Sequence, residues 1–169
     1  MSTTGIDQVT FGVEDIESAR RFFVDFGLTE VAADNAGAAF TTIDGGQVRI
    51  RPASAAELPP AFEPGPTLRE VIWGCADKQS LAETVAALRG IASLDTSAGG
   101  IARCTDPNGM SLGFRVSQRK PVIVEPTAVN APGTPRRTAP ITMLPRLCTA
   151  RTLLPLKRIF SVRWATARN

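Results

Sequence analysis

The side chains in this chain that could carry chemistry are mainly arginines. None of its 169 residues is histidine. The chain therefore lacks the commonest metal ligand and the side chain whose unperturbed pKa best suits proton transfer near neutrality. Alternation places Arg49, Arg51 and Arg115 on one side of their predicted strands, together with one acid, Glu70. Surplus guanidinium favours a carboxylate or phenolate ligand, since arginine can bind such oxygens through two parallel hydrogen bonds.

Two smaller polar side chains complete this candidate site. Gln8 and Thr10 alternate with Val9, so they share one face of the first predicted strand. We expect Gln8 to be a hydrogen-bonded lining residue and Glu70 to pair with Arg49 across the sheet. The predicted ligand cleft consists of Gln8, Thr10, Arg49, Arg51, Glu70 and Arg115, and its predicted ligand is a small aromatic or carboxylate molecule.

An internal repeat organises the elements that position these residues. Two stretches of the chain align with a constant offset of 62 residues. The pairs related by this offset include Val9 and Val71, Phe11 and Trp73, Gly12 and Gly74, Asp15 and Asp77, Ser18 and Ser80, and Asp44 and Asp106. A fixed period indicates two copies of one supersecondary unit, neither of which can bury its apolar face alone.

Each copy has the pattern of a strand, a helix and three further strands. In the first copy, strands are predicted near residues 6–13, 30–33, 38–43 and 47–51, with Asp15 as the N-cap of the helix. In the second, strands are predicted near residues 69–75, 91–94, 100–105 and 111–116, with Asp77 as the cap. The predicted fold class is α+β, with paired βαβββ units over about residues 5–52 and 68–117 forming one domain, residues 5–117.

Hydrophobic patterning assigns the core side of the first unit. Alternation places Asp7 on the same face as Val9 and Phe11, and Ile6 on the opposite face. The first helix carries a stripe of Ile16, Ala19, Phe22, Phe23 and Phe26, and its three phenylalanines are expected to belong to the core.

Cysteine usage and the N-terminal residues bear on the cellular compartment. Cys75, Cys104 and Cys148 lie far apart and show no Cys-x-x-Cys spacing, which indicates reduced thiols. The start of the chain has no basic segment followed by an apolar run, and no stretch is long enough to span a membrane. We predict a cytoplasmic protein that does not bind membranes.

The C-terminal region differs from the rest in composition. All 16 acidic residues lie within residues 1–125, whereas basic residues continue to the end of the chain. Residues 118–169 are predicted to be a Pro/Arg-rich linker and tail, either disordered or out of frame. A nucleic-acid-binding arm is one explanation, but the basic residues are scattered and lack interleaved aromatics, so we expect no specific nucleic-acid binding. We favour the other, that translation leaves the ancestral frame near Arg136 and truncates a longer protein.

Three segments together resemble the vicinal oxygen chelate superfamily. They are the strand-helix opening at residues 7–15, the helical residues 19–23 that lead to Gly27 and Leu28, and the turn at residues 106–109 before the last strand. The superfamily includes glyoxalase I, bleomycin-resistance proteins and extradiol ring-cleaving dioxygenases. The resemblance covers about residues 5–117 and implies a curved mixed sheet around a cleft, in a protein that could form a homodimer.

The resemblance also implies where a divalent metal would bind. The superfamily holds its metal on the first and last strands of each unit, at positions that correspond to Gln8, Arg49, Glu70 and Gly113. Because Arg49 is a fixed cation and Gly113 has no side chain, we expect no bound metal, no cofactor and no catalytic residue in this chain.

Two hypotheses about function remain. The chain most resembles the metal-free N-terminal domain of a type I extradiol dioxygenase, which would be inactive alone because its Fe(II) belongs to a missing C-terminal domain. The alternative is a metal-free small-molecule-binding protein of the glyoxalase or bleomycin-resistance type, with an anion-favouring cleft.

Overall fold

A computed structural model describes residues 3–65, 67–90, 92–96 and 99–123. The elements in these residues are β1 (Thr3–Val13), α1 (Ile16–Asp25), β2 (Thr29–Asp34), β3 (Gly37–Thr41), β4 (Gln47–Pro52), β5 (Thr67–Cys75), α2 (Lys78–Leu88), β6 (Ala102–Thr105) and β7 (Ser111–Val116). The seven strands form one mixed sheet in the order β2-β3-β4-β1-β5-β7-β6. The predicted α+β class is confirmed. The predicted tail lies outside the described residues from position 124 onward.

The pairing of the strands reproduces the internal repeat. β1 pairs in parallel with β4, the last strand of its unit, and β5 pairs in parallel with β7. The two first strands, β1 and β5, are antiparallel neighbours at the centre of the sheet. The repeat therefore joins its two copies through their first strands.

Equivalent aspartates begin both helices. Asp15 accepts a hydrogen bond from the backbone N–H of Ser18 at 2.9 Å, and Asp77 accepts one from Ser80 at 2.7 Å. Each carboxylate satisfies a first-turn donor that the helix itself leaves without a partner. The predicted N-caps are confirmed.

The core lies between one face of the sheet and the two helices. Its buried members include Ile6, Val9, Phe40, Val48, Ile50, Val71, Leu88, Leu112 and Phe114. Helix residues such as Ile16, Phe23, Leu81 and Val85 pack against them. Within the described part of the chain, no helix has the length and apolar character needed to cross a bilayer.

The prediction of a strand near residues 91–94 is wrong, because the residues that the structure describes there, 92–94, do not form one. Between residues 92 and 96 the sole pairing is an isolated bridge from Asp95 to Arg103. The N–H of Ala92 donates instead to the carbonyl oxygen of Leu88 at the end of α2. This N–H is therefore not available for a hydrogen bond to a neighbouring strand. Ala92 and Leu94 still pack on the core as part of a loop.

The prediction that all three phenylalanines of α1 are core residues is also wrong. Phe23 packs on Phe11 and Phe40, with ring centroids 5.9 and 5.3 Å apart. Phe22 and Phe26 are 60% and 61% exposed and stack on each other. The helical spacing identified the apolar stripe, but only its inner edge reaches the sheet.

Candidate functional site

The candidate site occupies the face of the sheet that is turned away from α1 and α2, which we call the polar face. Register defines its rows, because directly opposed residues on neighbouring strands point to the same side. Thr10 lies opposite Arg49 on β4 and opposite Glu70 on β5, and Glu70 lies opposite Ser111 on β7. Two further rows follow towards the C-terminal end of β7, at Gly113 and at Arg115.

A register shift in β1 adds an acid to this face. Ile6 is opposite Trp73 but Gln8 is opposite Ile72, so β1 holds one extra residue between these pairs. Ile6 therefore joins Val9 in the core, and the side chain of Asp7 turns to the polar face. The predicted alternation of Ile6 and Asp7 is wrong because the shift interrupts the period of two.

Asp7 is the centre of a buried network. It has no exposed surface, and its Oδ2 accepts from Nε of Arg115 at 3.1 Å and from the N–H of Gln118 at 3.0 Å. Its Oδ1 accepts from the hydroxyl of Ser117 at 2.8 Å. The same carboxylate lies where a side chain at Gly74 would project, so an added Cβ would collide with Oδ1 of Asp7. The chain needs glycine at this position for Asp7 to reach Arg115.

Glu70 pairs with an arginine that the sequence interpretation did not include. Its Oε1 accepts from Nε of Arg103 at 2.8 Å, and the carboxylate side chain is 9% exposed. The predicted ion pair between Glu70 and Arg49 is wrong, because the carboxylate of Glu70 pairs with Arg103 on β6 instead. Arg49 and Glu70 still interact through their charges.

Arg49 lies in a field of like charges. Burial of the guanidinium lowers the pKa of Arg49, and the charges of Arg51 and Arg115 lower it further. Glu70 acts in the opposite direction, and Arg103 again lowers the pKa. Arg49 nevertheless retains an exposed side chain. An anion placed beside Arg49 would relieve this repulsion.

Two other guanidinium groups have nitrogen atoms that are buried without a hydrogen-bond acceptor among the described residues. They are Nη2 of Arg115 and Nε of Arg69. Arg115 is 11% exposed, and Asp7 occupies its Nε. Buried donors without acceptors are rare in proteins and often mark an absent ligand or water. Arg115 therefore has a donor that no residue in the described part of the chain satisfies.

Arg69 reaches the polar face through a second register shift. Thr10 is opposite Glu70 but Phe11 is opposite Leu68, so Arg69 is the extra residue on β5. Its guanidinium covers Gly12, where an added Cβ would lie 2.7 Å from Nε. Its Nη1 and Nη2 donate to the carbonyl oxygens of Pro59 and Ala53, each at 3.0 Å. Arg69 thus fastens the connector between the units beside the site.

The remaining predicted residues are on the polar face but differ in their roles. Nε2 of Gln8 donates to the hydroxyl of Thr10 at 3.4 Å, and both side chains are buried. Arg51 lies over Gly37 on β3 and donates through Nη1 to the carbonyl oxygen of Ile50. The structure therefore places Arg49 and Glu70 on either side of Thr10 in one row of the polar face. Gln8 lies in the next row, Arg115 lies in the row after that, and Arg51 lies towards β3.

The four positions that would hold the superfamily's metal do not fit one. Glu70 is engaged by Arg103, Gln8 is engaged by Thr10, and Arg49 supplies a positive charge. At Gly113 an added Cβ would meet Ile72 and Ile101 at 3.0 Å each, so the space for a fourth ligand is filled by apolar groups. Divalent cations need several oxygen, nitrogen or thiolate donors, and this arrangement does not offer them.

No other group of described residues compensates for this loss. In the ranges that the structure covers, no three His, Cys, Asp or Glu side chains are close enough to hold a metal ion. Cys75 faces α2, with Sγ 3.9 Å from the hydroxyl of Thr84. Burial raises the pKa of the Cys75 and Cys104 thiols, which disfavours the thiolate that a metal requires.

Sequence reasoning missed three members of the polar face, namely Asp7, Arg69 and Arg103. Arg103 could have been found, since it alternates with Ala102 and Cys104, which are buried core residues of β6. Asp7 and Arg69 lie at register shifts, where alternation carries no information about direction.

Comparison with known proteins gives solved structures alone. No family model and no curated protein matches this chain. The 2,3-dioxygenase LapB from Pseudomonas sp. KL28 is similar in structure, with a TM-score of 0.56 and 16% identity over 71% of this chain. An extradiol ring-cleaving dioxygenase from B. fuscum gives 0.53 and 14% over 70%, and a Mn(II)-bound glyoxalase from Novosphingobium aromaticivorans gives 0.53 and 18% over 73%.

These similarities cover less than half of each neighbour. This chain spans 42% of LapB, 34% of the B. fuscum dioxygenase and 43% of the glyoxalase. At such identities the similarity establishes the fold alone. The chain has the fold that extradiol dioxygenases share with a glyoxalase, which is the vicinal oxygen chelate fold that the sequence resemblance implied.

Proposed function

We propose that the polar face binds a small organic anion, in a protein of dioxygenase and glyoxalase fold that uses no metal of its own. The observation that carries this proposal is the environment of Arg49, a residue with exposed surface near which the positive charges of Arg51, Arg115 and Arg103 outnumber the one negative charge of Glu70. The unsatisfied Nη2 of Arg115 supports it independently. A carboxylate beside Arg49 would supply the negative charge that this group of arginines lacks, and an anionic oxygen beside Nη2 of Arg115 would supply an acceptor.

An aromatic carboxylate is the natural first probe, because the structural neighbours include a ring-cleaving dioxygenase. Titration calorimetry should show that benzoate binds more tightly than benzamide, which has the same shape without the charge. Arg49→Ala should reduce this preference by about 1 to 3 kcal/mol, since it removes a charge-assisted hydrogen bond.

The matched control is Arg21→Ala, which removes an exposed arginine from α1 on the other side of the sheet. This variant should keep the preference of the unmodified chain. Equal binding of the acid and the amide, or equal losses in the two variants, would refute the proposal.

This chain spans only part of the length of the dioxygenases that it resembles in structure, which supports a second candidate function. We propose that the domain corresponds to a non-catalytic domain of a dioxygenase-like protein whose iron domain is encoded in another frame beyond Arg136. Reading the coding DNA in all frames tests this idea. A frame that encodes two histidines and a glutamate at suitable spacing would support it, and the absence of any such frame would reject it.

Both candidates share one expectation about metal. The purified chain should retain no stoichiometric iron or zinc, and it should not cleave catechol above the free-iron background when Fe(II) is added under reducing conditions. Extradiol chemistry needs an iron with open positions held by suitable ligands, and the polar face offers guanidinium groups instead. One equivalent of tightly bound iron by elemental analysis would overturn both candidates.

A further inference from the structure

Helix α1 leaves much of its apolar surface exposed to solvent. The structure describes every residue of α1 and none of them is buried, whereas α2 buries Ser80, Thr84 and Leu88. Phe22 in α1 and Phe26 at its C-cap are 60% and 61% exposed, and their rings stack on each other. An exposed cluster of large apolar side chains often marks a surface that binds a partner.

The internal repeat provides a comparison for this surface. The offset of 62 residues relates Phe22 to Thr84 and Phe26 to Leu88. In the second unit both equivalents are buried, and the hydroxyl of Thr84 lies 3.9 Å from Sγ of Cys75 on β5. Helix α2 therefore packs this side against the sheet, whereas α1 turns the equivalent side outward. The first unit carries an apolar surface that its own sheet does not cover.

Two opposite charges border the pair of phenylalanines. Arg21 immediately precedes Phe22 and Asp25 immediately precedes Phe26, and both charged residues are exposed. Neither forms a salt bridge with another residue in the described part of the chain. The ring centroids are 6.0 Å apart, which matches the rise of about 6 Å over four helical residues. The rings and the charges therefore recur along α1 with the same spacing.

We propose that a second copy of this chain covers this surface, through α1 helices that pack antiparallel about a two-fold axis. In this arrangement Phe22 of each copy meets Phe26 of the other, and Arg21 of each copy meets Asp25 of the other. A parallel pairing would oppose like charges, so the charge pattern favours the two-fold arrangement. Because α1 lies on the opposite side of the sheet from the polar face, this association leaves the proposed anion site open.

The size of the surface limits the strength of this association. At their observed exposure the two phenylalanines leave about 250 Å² uncovered in each copy, or about 500 Å² in the pair. Stable protein interfaces bury about 1,200–2,000 Å². We therefore expect a reversible dimer that forms at about 0.1 mM and above.

Sedimentation velocity of the full chain, from about 10 μM to about 1 mM, measures this association. The sedimentation coefficient should rise with concentration. Phe22→Ser combined with Phe26→Ser should weaken the association at least about tenfold, because buried aromatic anchors dominate the affinity of an interface. The matched control is Ile43→Ser, which removes a 54% exposed apolar side chain between β3 and β4 and should leave the association unchanged.

Two charge variants test the antiparallel arrangement without altering the rings. Arg21→Asp would oppose two acids at each contact and Asp25→Arg would oppose two bases, so each variant alone should associate at least about threefold more weakly than the unmodified chain. Their equimolar mixture should associate as strongly as the unmodified chain or more strongly, because every contact then joins unlike charges. Mixing would not repair a folding defect in either variant.

Three results would overturn the proposal. They are a chain that stays monomeric up to about 1 mM, an association that survives both phenylalanine substitutions, and a mixture that associates no more strongly than its components. An association that Val31→Lys abolishes and the phenylalanine substitutions do not would place the contact at the edge strand β2 instead.

Discussion

Asp7→Asn should strongly destabilise the protein, although it exchanges one atom for another of similar size. The carboxylate is fully buried and accepts hydrogen bonds from Arg115, Ser117 and Gln118. An asparagine has one acceptor oxygen and must direct its NH₂ group at one of these donors. The guanidinium of Arg115, which is 11% exposed, then loses its counter-ion.

The magnitude follows from these losses. Removing one member of a buried ion pair costs about 3–5 kcal/mol, and asparagine should keep part of the neutral hydrogen bonding. We therefore expect a loss of about 3 kcal/mol, a large fraction of the roughly 5–15 kcal/mol that stabilise a typical domain. Urea denaturation followed by tryptophan fluorescence at neutral pH measures it.

Two further variants separate the ion pair from other effects. Asp25→Asn changes an exposed aspartate of α1 and should alter stability by less than about 0.5 kcal/mol. Combining Asp7→Asn with Arg115→Met removes the stranded charge and should recover at least about 1 kcal/mol relative to Asp7→Asn alone. A loss below about 1 kcal/mol for Asp7→Asn, or a purely additive double variant, would refute the reasoning.

Three other predictions concern acid stability, the connector and α1. Hydrogen bonds from the first turn of each helix lower the pKa of Asp15 and Asp77, so their contribution is present above the unfolded pKa and is lost as pH falls through the folded pKa. The urea concentration at the midpoint of unfolding should decrease as the pH is lowered below about 4. This decrease should be less steep when both residues are replaced by asparagine. Gly12→Ala should cost about 1–3 kcal/mol and speed proteolysis of the connector, because its Cβ displaces the arginine that fastens this segment; an unchanged cleavage rate would contradict this. Phe22→Ser should cost less than about 1 kcal/mol, whereas Phe23→Ala should cost about 3 kcal/mol in the same urea assay; equal costs would show that Phe22 is not a surface residue.

The sequence contained enough information for the repeat and its caps. Asp15 and Asp77 each follow a glycine by three residues and precede a serine by three, and each accepts a hydrogen bond from the backbone N–H of that serine. Asp44 and Asp106, also related by the offset, each accept from a backbone N–H two residues later, at 3.2 and 2.9 Å. Local interactions of this kind depend on nearby residues alone, so the repeat predicts them in both units.

Partners across the sheet depended on geometry that the sequence does not encode locally. Arg103 rather than Arg49 pairs with Glu70, because the choice depends on which arginine reaches the carboxylate across folded strands. The side chains of Asp7 and Arg69 reach the polar face only because each strand carries one extra residue at a register shift. A period of two cannot reveal such a shift, since either neighbour could be the extra residue.

The charge of the polar face connects the fold to the proposed function. A metal ion and a guanidinium group both present positive charge to the oxygens of a ligand, so in the proposed function Arg49 gives the site the sign of charge that a bound metal would give. They differ in what happens after binding, because a guanidinium group can orient and neutralise a carboxylate but does not coordinate oxygen or exchange electrons. The face also retains two carboxylates, Asp7 and Glu70, yet each is occupied by an arginine. Those ion pairs orient Arg115 and engage Glu70 with Arg103, although the charge of Glu70 still acts on Arg49. In the proposed function, the remaining positive charge attracts the incoming anion.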